Sequence, residues 1–291
     1  MIEGWDRLAP ILGHIHTHLD GDLRLATLAR RAGLSPFQLH RRFVAVLQET
    51  PGATVTRLRL ARCAFRMAVE DASLLTIALD AGFRNQETFI RAFQRQYGRT
   101  PGAHRKWLAA QRGTWRNGRL SAPARQTPGF ALSASKVVSL RAMHLACVRH
   151  VGPYEAVPQA IFDELEAWAN ARRLPGPSVW LGIGHDAPGA VPPEQLRFDA
   201  AIVVPVPIHA QGRVQHGFLP GGDVVLTTHA GPFDTLPQAY EALLPQVLAL
   251  PGLQLVGLPA IEFYHGTSVR TALAMNHTDI ALPVQRLPAG A

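Results

Sequence analysis

The sequence predicts two domains of different class: an all-α front half, then an α+β rear half made of two copies of one β-α-β-β unit. Lys and Arg concentrate in the front half: residues 1–120 hold 19 of them against 9 Asp and Glu, whereas residues 121–291 hold 10 against 12. The stretch HVGPYEAVPQA at His150 returns as HAGPFDTLPQA at His229, with six of eleven positions identical. We therefore place one domain at 1–112, a Gly-, Pro- and Ser-rich linker at 113–135, and a second domain at 136–291.

Composition limits the possible classes of protein. With 291 residues, 47% of them apolar, each half can bury a core, and 17% charged residues do not fit a disordered tail. No apolar run approaches the ~18 residues of a membrane span, and the first residues do not resemble a secretory leader. The strongly basic front half indicates a polyanionic partner. We expect a cytoplasmic protein with no membrane partner.

The cysteines and clustered histidines do not predict a metal site. Cys63 and Cys147 lack metal-ligand spacing and are expected to be reduced, buried thiols. His14 and His18 lie one helical turn apart, but no cysteine or paired acid accompanies them. We expect neither a metal nor a cofactor.

Residues 23–43 contain a helix, a short turn and a second helix. Gly33 stands where a helix needs a residue that tolerates positive φ to end it. Ser35 can cap the next helix and Pro36 suits its first position. Leu39 and Phe43 give that helix an apolar face, so the segment predicts a helix-turn-helix unit.

The same pattern returns at residues 73–107. Gly82 marks the turn, Asn85 is a capping residue, and an apolar face follows at Phe89, Phe93 and Tyr97. The letters TPGA close both units, at 50–53 and 100–103. Residues 55–70 between them predict one amphipathic connecting helix.

These residues make the front half resemble the DNA-binding domain of the AraC family of bacterial transcription regulators. The resemblance covers about residues 8–108, and its most specific parts are the AGF turn, the Phe-x-Arg-x-Phe run from Phe89 and the Tyr-Gly-x-Thr-Pro run from Tyr97. It implies that the connecting helix holds two recognition helices about one turn of DNA apart, so that they enter successive major grooves. Double-stranded DNA is thus the implied partner.

The exposed face of each recognition helix supplies the candidate DNA contacts. Arginine can pair bidentately with guanine, and glutamine with adenine. The predicted base-facing side chains are Phe37, Gln38, His40, Arg41, Gln86, Glu87, Ile90 and Arg91. Transferred position by position, the family's base contacts fall on His40, Arg41, Gln86 and Arg91. Glu87 either reads cytosine or repels the DNA backbone. The predicted phosphate contacts are Arg42, Arg95, Arg99 and Lys106. The alternative is that both faces are merely solvated.

In the rear half, the repeat extends well beyond the opening motif. In the first copy, a strand pattern at 137–150 precedes a helical pattern at 156–174, and strand patterns follow at 179–186 and 198–208. The second copy repeats this order, with a strand at 223–229, a helix at 236–250 and strands at 260–266 and 278–284. Two such units are expected to join in one antiparallel sheet with both helices on one side. The opposite side would then form a concave ligand groove near the pseudo-twofold axis.

The two Gly-Pro-aromatic turns and the ending TDIALPV make residues 136–287 resemble the GyrI-like effector-binding domain. The resemblance implies a small-molecule site with a glutamate on the penultimate strand that often meets a cationic, apolar ligand; the matching residue is Glu262. Strand alternation puts Glu262 and Tyr264 on one face, and Ile261 and Phe263 on the other. If Phe263 packs against the helices, Glu262 and Tyr264 face the groove. The alternative for Glu262 is a solvated acid.

Further candidates for the ligand pocket are aromatic. They are Tyr154, Trp180 and Phe233, and the alternative for each is packing in the core or at a helix end.

The function that these features predict is a one-component regulator. A small molecule, expected to be a lipophilic cation, would bind the rear half and change the front half's contacts with DNA or RNA polymerase. The chain could act as a monomer, since it holds two recognition helices, or as a homodimer. One alternative is a GyrI-like hydrolase of strained electrophiles that uses Glu262 with Tyr154 or Tyr264. Another is a protein-binding module.

Overall fold

The computed structural model describes residues 5–47, 49–111, 129–174, 178–256, 259–265 and 277–287. Helices make up the described front half, in the order α1 Trp5–Thr17, α2 Leu25–Ala32, α3 Pro36–Leu47, α4 Pro51–Val69, α5 Leu74–Asp80, α6 Gln86–Tyr97 and α7 Pro101–Gln111. The all-α front half is confirmed. Residues 113–128 of the proposed linker lie outside the described residues.

Both turns between paired helices form as their sequences predict. Gly33 adopts φ +62°, and its N–H closes the end of α2. Gly82 adopts φ +87° before α6, where a Cβ would also meet the carbonyl oxygen of Leu19 at 2.5 Å. Asn85 caps α6, because its Oδ1 accepts a hydrogen bond from the Thr88 N–H at 2.9 Å. The two helix-turn-helix units are α2–α3 and α5–α6.

The connecting helix α4 joins the two units through a shared core. Val55 and Leu58 are buried among side chains of α1 to α3, whereas Leu60 and Met67 are buried among those of α5 to α7. Each such buried side chain contributes about 1.5–3 kcal/mol. The 19 residues of α4 therefore fix the spacing of the recognition helices α3 and α6.

The rear half is a sheet with two helices. Its elements are β1 Ala131–Leu132, β2 Lys136–Leu140, β3 Met143–Val151, α8 Gln159–Ala171, β4 Trp180–Gly184, β5 Arg197–Val204, β6 Gln215–Leu219, β7 Gly222–Ala230, α9 Leu236–Leu248, β8 Leu253–Leu255, β9 Ala260–Tyr264 and β10 His277–Arg286. The strand order is β1-β7-β10-β9-β4-β5-β3-β6, and all pairs are antiparallel. The predicted strand at 137–150 is two strands: β2 pairs with β7 of the second copy, and β3 pairs with β5 and β6.

The duplication is visible in the sheet. The first copy is β3-α8-β4-β5 and the second is β7-α9-β9-β10, and they meet where β4 pairs with β9. Both helices cover the same face, α8 over β3 to β5 and α9 over β7 and β10. The opposite face carries a second apolar cluster that includes Leu181, Ile183 and Ile261. The predicted arrangement of the helices is confirmed.

No helix in the described ranges is both long and apolar enough to cross a membrane.

Candidate functional site

The face of α3 that points away from the core carries the predicted base readers of the first unit. Leu39 and Phe43 are buried, while His40 and Arg41 are exposed and Phe37 is 72% exposed. Arg42, a predicted phosphate contact, is half-buried. The structure thus leaves this face open to a partner.

Gln38 already has a role at the start of α3. Its Oε1 accepts a hydrogen bond from the Ser35 N–H at 3.0 Å, and the Gln38 N–H donates to Ser35 Oγ at 3.2 Å. This is a reciprocal capping box. To reach a base, the carboxamide must leave the Ser35 N–H.

The face of α6 is open in the same way. Gln86, Glu87, Arg91 and Arg95 are exposed, and Ile90 is half-buried. Glu87 and Arg91 lie one turn apart and form an ion pair with 3.3 Å between Oε1 and a guanidinium nitrogen. An exposed pair of this kind stabilises a helix by only a few tenths of a kcal/mol, about 0.3–0.5. Either side chain can therefore be released to a partner at little cost.

One of the predicted phosphate contacts, Arg95, lines a concave surface. A cavity of about 420 Å³ lies between the first turn of α4 and the end of α6, and Arg57 and Arg95 line it. Lys106 is exposed on α7, and the guanidinium of Arg99 lies 5.0 Å from the ring centre of Trp107. Contact of these side chains with phosphates stays a prediction.

In the rear half, a carboxylate lies on the central strand β9 between two tyrosines. The Tyr240 hydroxyl donates to Glu262 Oε1 at 3.0 Å, and the Tyr264 hydroxyl donates to Oε2 at 2.6 Å. Burial raises the pKa of the Glu262 carboxyl, and the two hydrogen bonds partly offset that rise. Burial and the nearby carboxylate raise the pKa of both tyrosines, so they remain donors at neutral pH.

Aromatic rings pack against Tyr264, which bonds this carboxylate. The ring centre of Tyr264 lies 5.2 Å from that of Phe233 and 6.1 Å from that of Phe162. Gly182 lies opposite Glu262 on β4, and a Cβ there would overlap the Tyr264 hydroxyl and meet the Phe198 ring at 2.7 Å. Because Gly182 has no side chain, the Tyr264 hydroxyl can occupy this space.

The structure separates the predicted pocket residues into three environments. Tyr264 bonds Glu262, and Phe233 packs against the Tyr264 ring. Trp180 is the cross-strand neighbour of Tyr264 and is a core residue, 2% exposed. Tyr154 is half-buried, and its hydroxyl donates to the backbone carbonyl of Asp186 and lies 3.1 Å from that of Arg197, so it does not bond Glu262.

The predicted orientation of Glu262 and Tyr264, away from the helices, was wrong. Alternation correctly put Glu262 and Tyr264 on one face, but Phe263 and Ile261 pack in the cluster away from the helices. Glu262 and Tyr264 therefore point toward the face that α8 and α9 cover, as the bond from Tyr240 of α9 shows. The physical reason is that the apolar pair on β9 completes the second apolar cluster on the sheet.

Tyr240 is a site residue that the sequence patterns did not predict. The repeat carried a signal for it: in the aligned motifs, PQAY of the second copy stands where the first copy has PQAI, so Tyr240 replaces Ile161. Ile161, a residue of α8, is buried in the core between α8 and the sheet. A hydroxyl at such a position, in the copy that also holds Glu262, requires a polar partner.

Comparison with known proteins identifies both halves. Residues 134–285 match the family described as GyrI-like small molecule binding domain, and residues 28–106 match a helix-turn-helix domain family. Regulatory protein SoxS of Escherichia coli (strain K12) is 33% identical over 98 residues, which cover 34% of this chain and 92% of SoxS. The right origin-binding protein of the same strain is 37% identical over 89 residues, 31% of each chain. The crystal structure of the EcmrR C-terminal domain has a TM-score of 0.44 and 18% identity, and the match covers 53% of this chain and 98% of that one.

Proposed function

Since the chain belongs to the GyrI-like small molecule binding family and is an AraC-type DNA-binding transcriptional regulator, we propose that it senses a small apolar cation through Glu262. The observation that carries this proposal is a partly buried carboxylate held by two tyrosine hydroxyls among aromatic rings. Within the described ranges, no Lys, Arg or His forms an ion pair with Glu262.

The electrostatics of the site favour a cation over an anion or a neutral molecule. Burial without a cationic partner disfavours the ionised form of Glu262, which is why its pKa is raised. A cation with apolar surface would restore the lost charge balance and could also lie against the faces of Tyr264 and Phe233. The two tyrosine hydroxyls keep both carboxylate oxygens in place when the ligand is absent.

The front half would contact DNA, and ligand binding in the rear half would change those contacts. His40, Arg41, Gln86 and Arg91 are proposed to read bases, with Arg42, Arg95, Arg99 and Lys106 on phosphates. Ligand binding alters transcription only if the ligand binds two states of the chain unequally, one of which contacts DNA or RNA polymerase better.

The test uses the full chain and a defined probe, tetraphenylphosphonium, with the neutral triphenylphosphine oxide as comparison. Calorimetric titration should show binding of the cation to the wild type and at least ~10-fold weaker binding to Glu262→Gln, the loss expected when a charge partner is removed from a partly buried site. The matched control is Glu241→Gln, which removes a half-buried acid from the same helix as Tyr240. DNA binding should be unchanged in both variants.

Two outcomes would contradict the proposal. Equal binding of the neutral compound and the cation would remove the argument for charge recognition. Turnover of a strained electrophile that disappears in Glu262→Gln would favour the hydrolase alternative over sensing.

A further inference from the structure

The core of the second helix-turn-helix unit includes side chains from the rear half. Val191 is 1% exposed and Leu196 is 4% exposed, and both lie in the cluster that holds Phe89, Phe93 and Tyr97 of α6. His104 of α7 is fully buried, and its Nε2–H donates to the carbonyl of Ala190 at 2.5 Å. The segment 186–197 thus packs directly against α5 to α7.

The rear half also contacts the first unit. Phe218 of β6 packs against the cluster formed by α1 to α4, which includes Leu39 and Phe43 of α3. Gly13 of α1 lies with its Cβ position 3.9 Å from Pro220 Cβ. The rear half therefore contacts both helix-turn-helix units, the second through segment 186–197 and the first through β6 and Pro220.

The segment 186–197 is fixed at its two ends. Arg197 donates twice to the Asp186 carboxylate at 2.7 Å, and both side chains are mostly buried. The Tyr154 hydroxyl lies between the same two residues: it donates to the Asp186 carbonyl at 2.6 Å and lies 3.1 Å from the Arg197 carbonyl. Between these ends, Ala190, Val191 and Leu196 make the contacts with the second unit.

A short series of contacts leads from Glu262 to Tyr154. The Tyr264 hydroxyl, bonded to Glu262, occupies the space above Gly182 that the Phe198 ring also borders. The Phe198 ring centre lies 5.9 Å from that of Tyr154. The Tyr154 ring packs both on the core of the sheet and on the core of the second unit.

We propose that residues 186–197 and Phe218 form an intramolecular docking surface that holds both helix-turn-helix units, and that Tyr154 is the positioning residue that couples this surface to the Glu262 site. A displacement at Glu262 moves Tyr264, Phe198 and Tyr154 in turn, and shifts the segment under α6 and α7. The coupling to a ligand rests on the proposed function, whereas the docking and the role of Tyr154 do not.

The test is hydrogen–deuterium exchange on the full chain without probe or DNA, so its outcome is independent of whether a cation binds. Tyr154→Phe keeps the ring and removes the bonds to segment 186–197. We expect exchange to accelerate about fivefold in 186–197 and in 97–108, the change that loss of one neutral hydrogen bond gives. The matched control, Thr228→Val, removes the hydroxyl that donates to Asp279 Oδ1 at 2.6 Å on β7, outside this series of contacts, and should leave 97–108 unchanged.

A second experiment changes a residue of segment 186–197 and measures the effect on the segment that contains Tyr154. Because coupling is reciprocal, Val191→Ala should accelerate exchange in 150–158, the segment that contains Tyr154. Wild-type exchange of 97–108 in Tyr154→Phe, or equal acceleration by Thr228→Val, would overturn the proposal. So would unchanged exchange of 150–158 in Val191→Ala.

Discussion

Gly182 and Glu262 lie directly opposite each other on the two central strands, and each is the third residue of its strand, β4 or β9. The pseudo-twofold axis that relates the two copies therefore passes between them. One copy contributes the acid at this position, and the other contributes the empty space beside it.

Replacing Gly182 by alanine should disturb the site more than its small size suggests. The new Cβ would overlap the Tyr264 hydroxyl and the Phe198 ring, and neither lies at the end of a flexible side chain. We expect a loss of about 1–3 kcal/mol in the free energy of unfolding, as overpacking gives, together with weaker cation binding. Denaturant titration and calorimetry measure the two effects. Gly52→Ala is the matched control, because a Cβ there meets no described atom within 4 Å; an equal loss in both variants would refute the steric explanation.

Acid should weaken the contact between the two halves through His104. Burial lowers the pKa of His104 from 6.5 to about 4, although the bond to Ala190 acts in the opposite direction. The unfolded chain therefore binds a proton at this residue below pH 6.5, whereas the folded chain binds it only near pH 4. Stability from His104 is complete above pH 6.5 and is lost as the pH falls toward 4.

The measurement compares unfolding of the wild type and His104→Gln at pH 7 and pH 5. Between pH 7 and pH 5, the free energy of unfolding should fall by about 2 kcal/mol more in the wild type than in the variant. A difference between the two proteins below ~0.5 kcal/mol, within ordinary additivity error, would show that His104 does not carry the effect.

Arg91 and Arg95 should have different effects on DNA binding. Arg91→Ala should weaken binding to a duplex selected by the wild-type chain by about 1–3 kcal/mol and relax the preference at one base pair. Arg95→Ala should weaken binding to all DNA sequences alike and reduce the slope of log K against log salt concentration by about one. Anisotropy titrations at several salt concentrations distinguish these outcomes. Unchanged base preference in Arg91→Ala would remove it from the base readers.

Gln38→Glu separates capping from DNA reading. Glutamate fits the capping box with Ser35 as well as glutamine does, and its charge suits a helix N-terminus. The free energy of unfolding should therefore change by less than ~0.5 kcal/mol, while DNA affinity should fall because the carboxylate repels phosphates. Gln38→Ala should instead lose about 1 kcal/mol of stability. If Gln38→Glu binds DNA like the wild type, Gln38 acts only as a cap.

Features that depend on neighbouring residues could be predicted from the sequence. Gly33 and Asn85 determine where helices end and begin through their own backbone and side-chain bonds. The two Gly-Pro motifs likewise predict the duplicated unit, because the strands and helices around them repeat at the same offset. Alternation along β9 correctly paired Glu262 with Tyr264.

Features that depend on distant packing could not be predicted. Alternation says which residues share a face, but the choice of face depends on where α8 and α9 lie, which no residue of β9 determines. The docking surface is similar: Val191 and Leu196 stand in an irregular segment with no periodic pattern. His104 appears in the sequence as an ordinary helix residue, and nothing near it along the chain indicates that its ring bonds the Ala190 carbonyl, 86 residues away.

The position of Glu262 on the axis has a consequence for how such a protein could arise. In a dimer of two identical units, both central positions would hold the same residue: two facing carboxylates that repel, or two glycines with no charge. Fusion of the copies into one chain removes that restriction and allows one acid to stand beside one gap. At the proposed site a cation would then meet a single charge, and we expect one ligand, bound in one orientation, despite the near symmetry of the two copies.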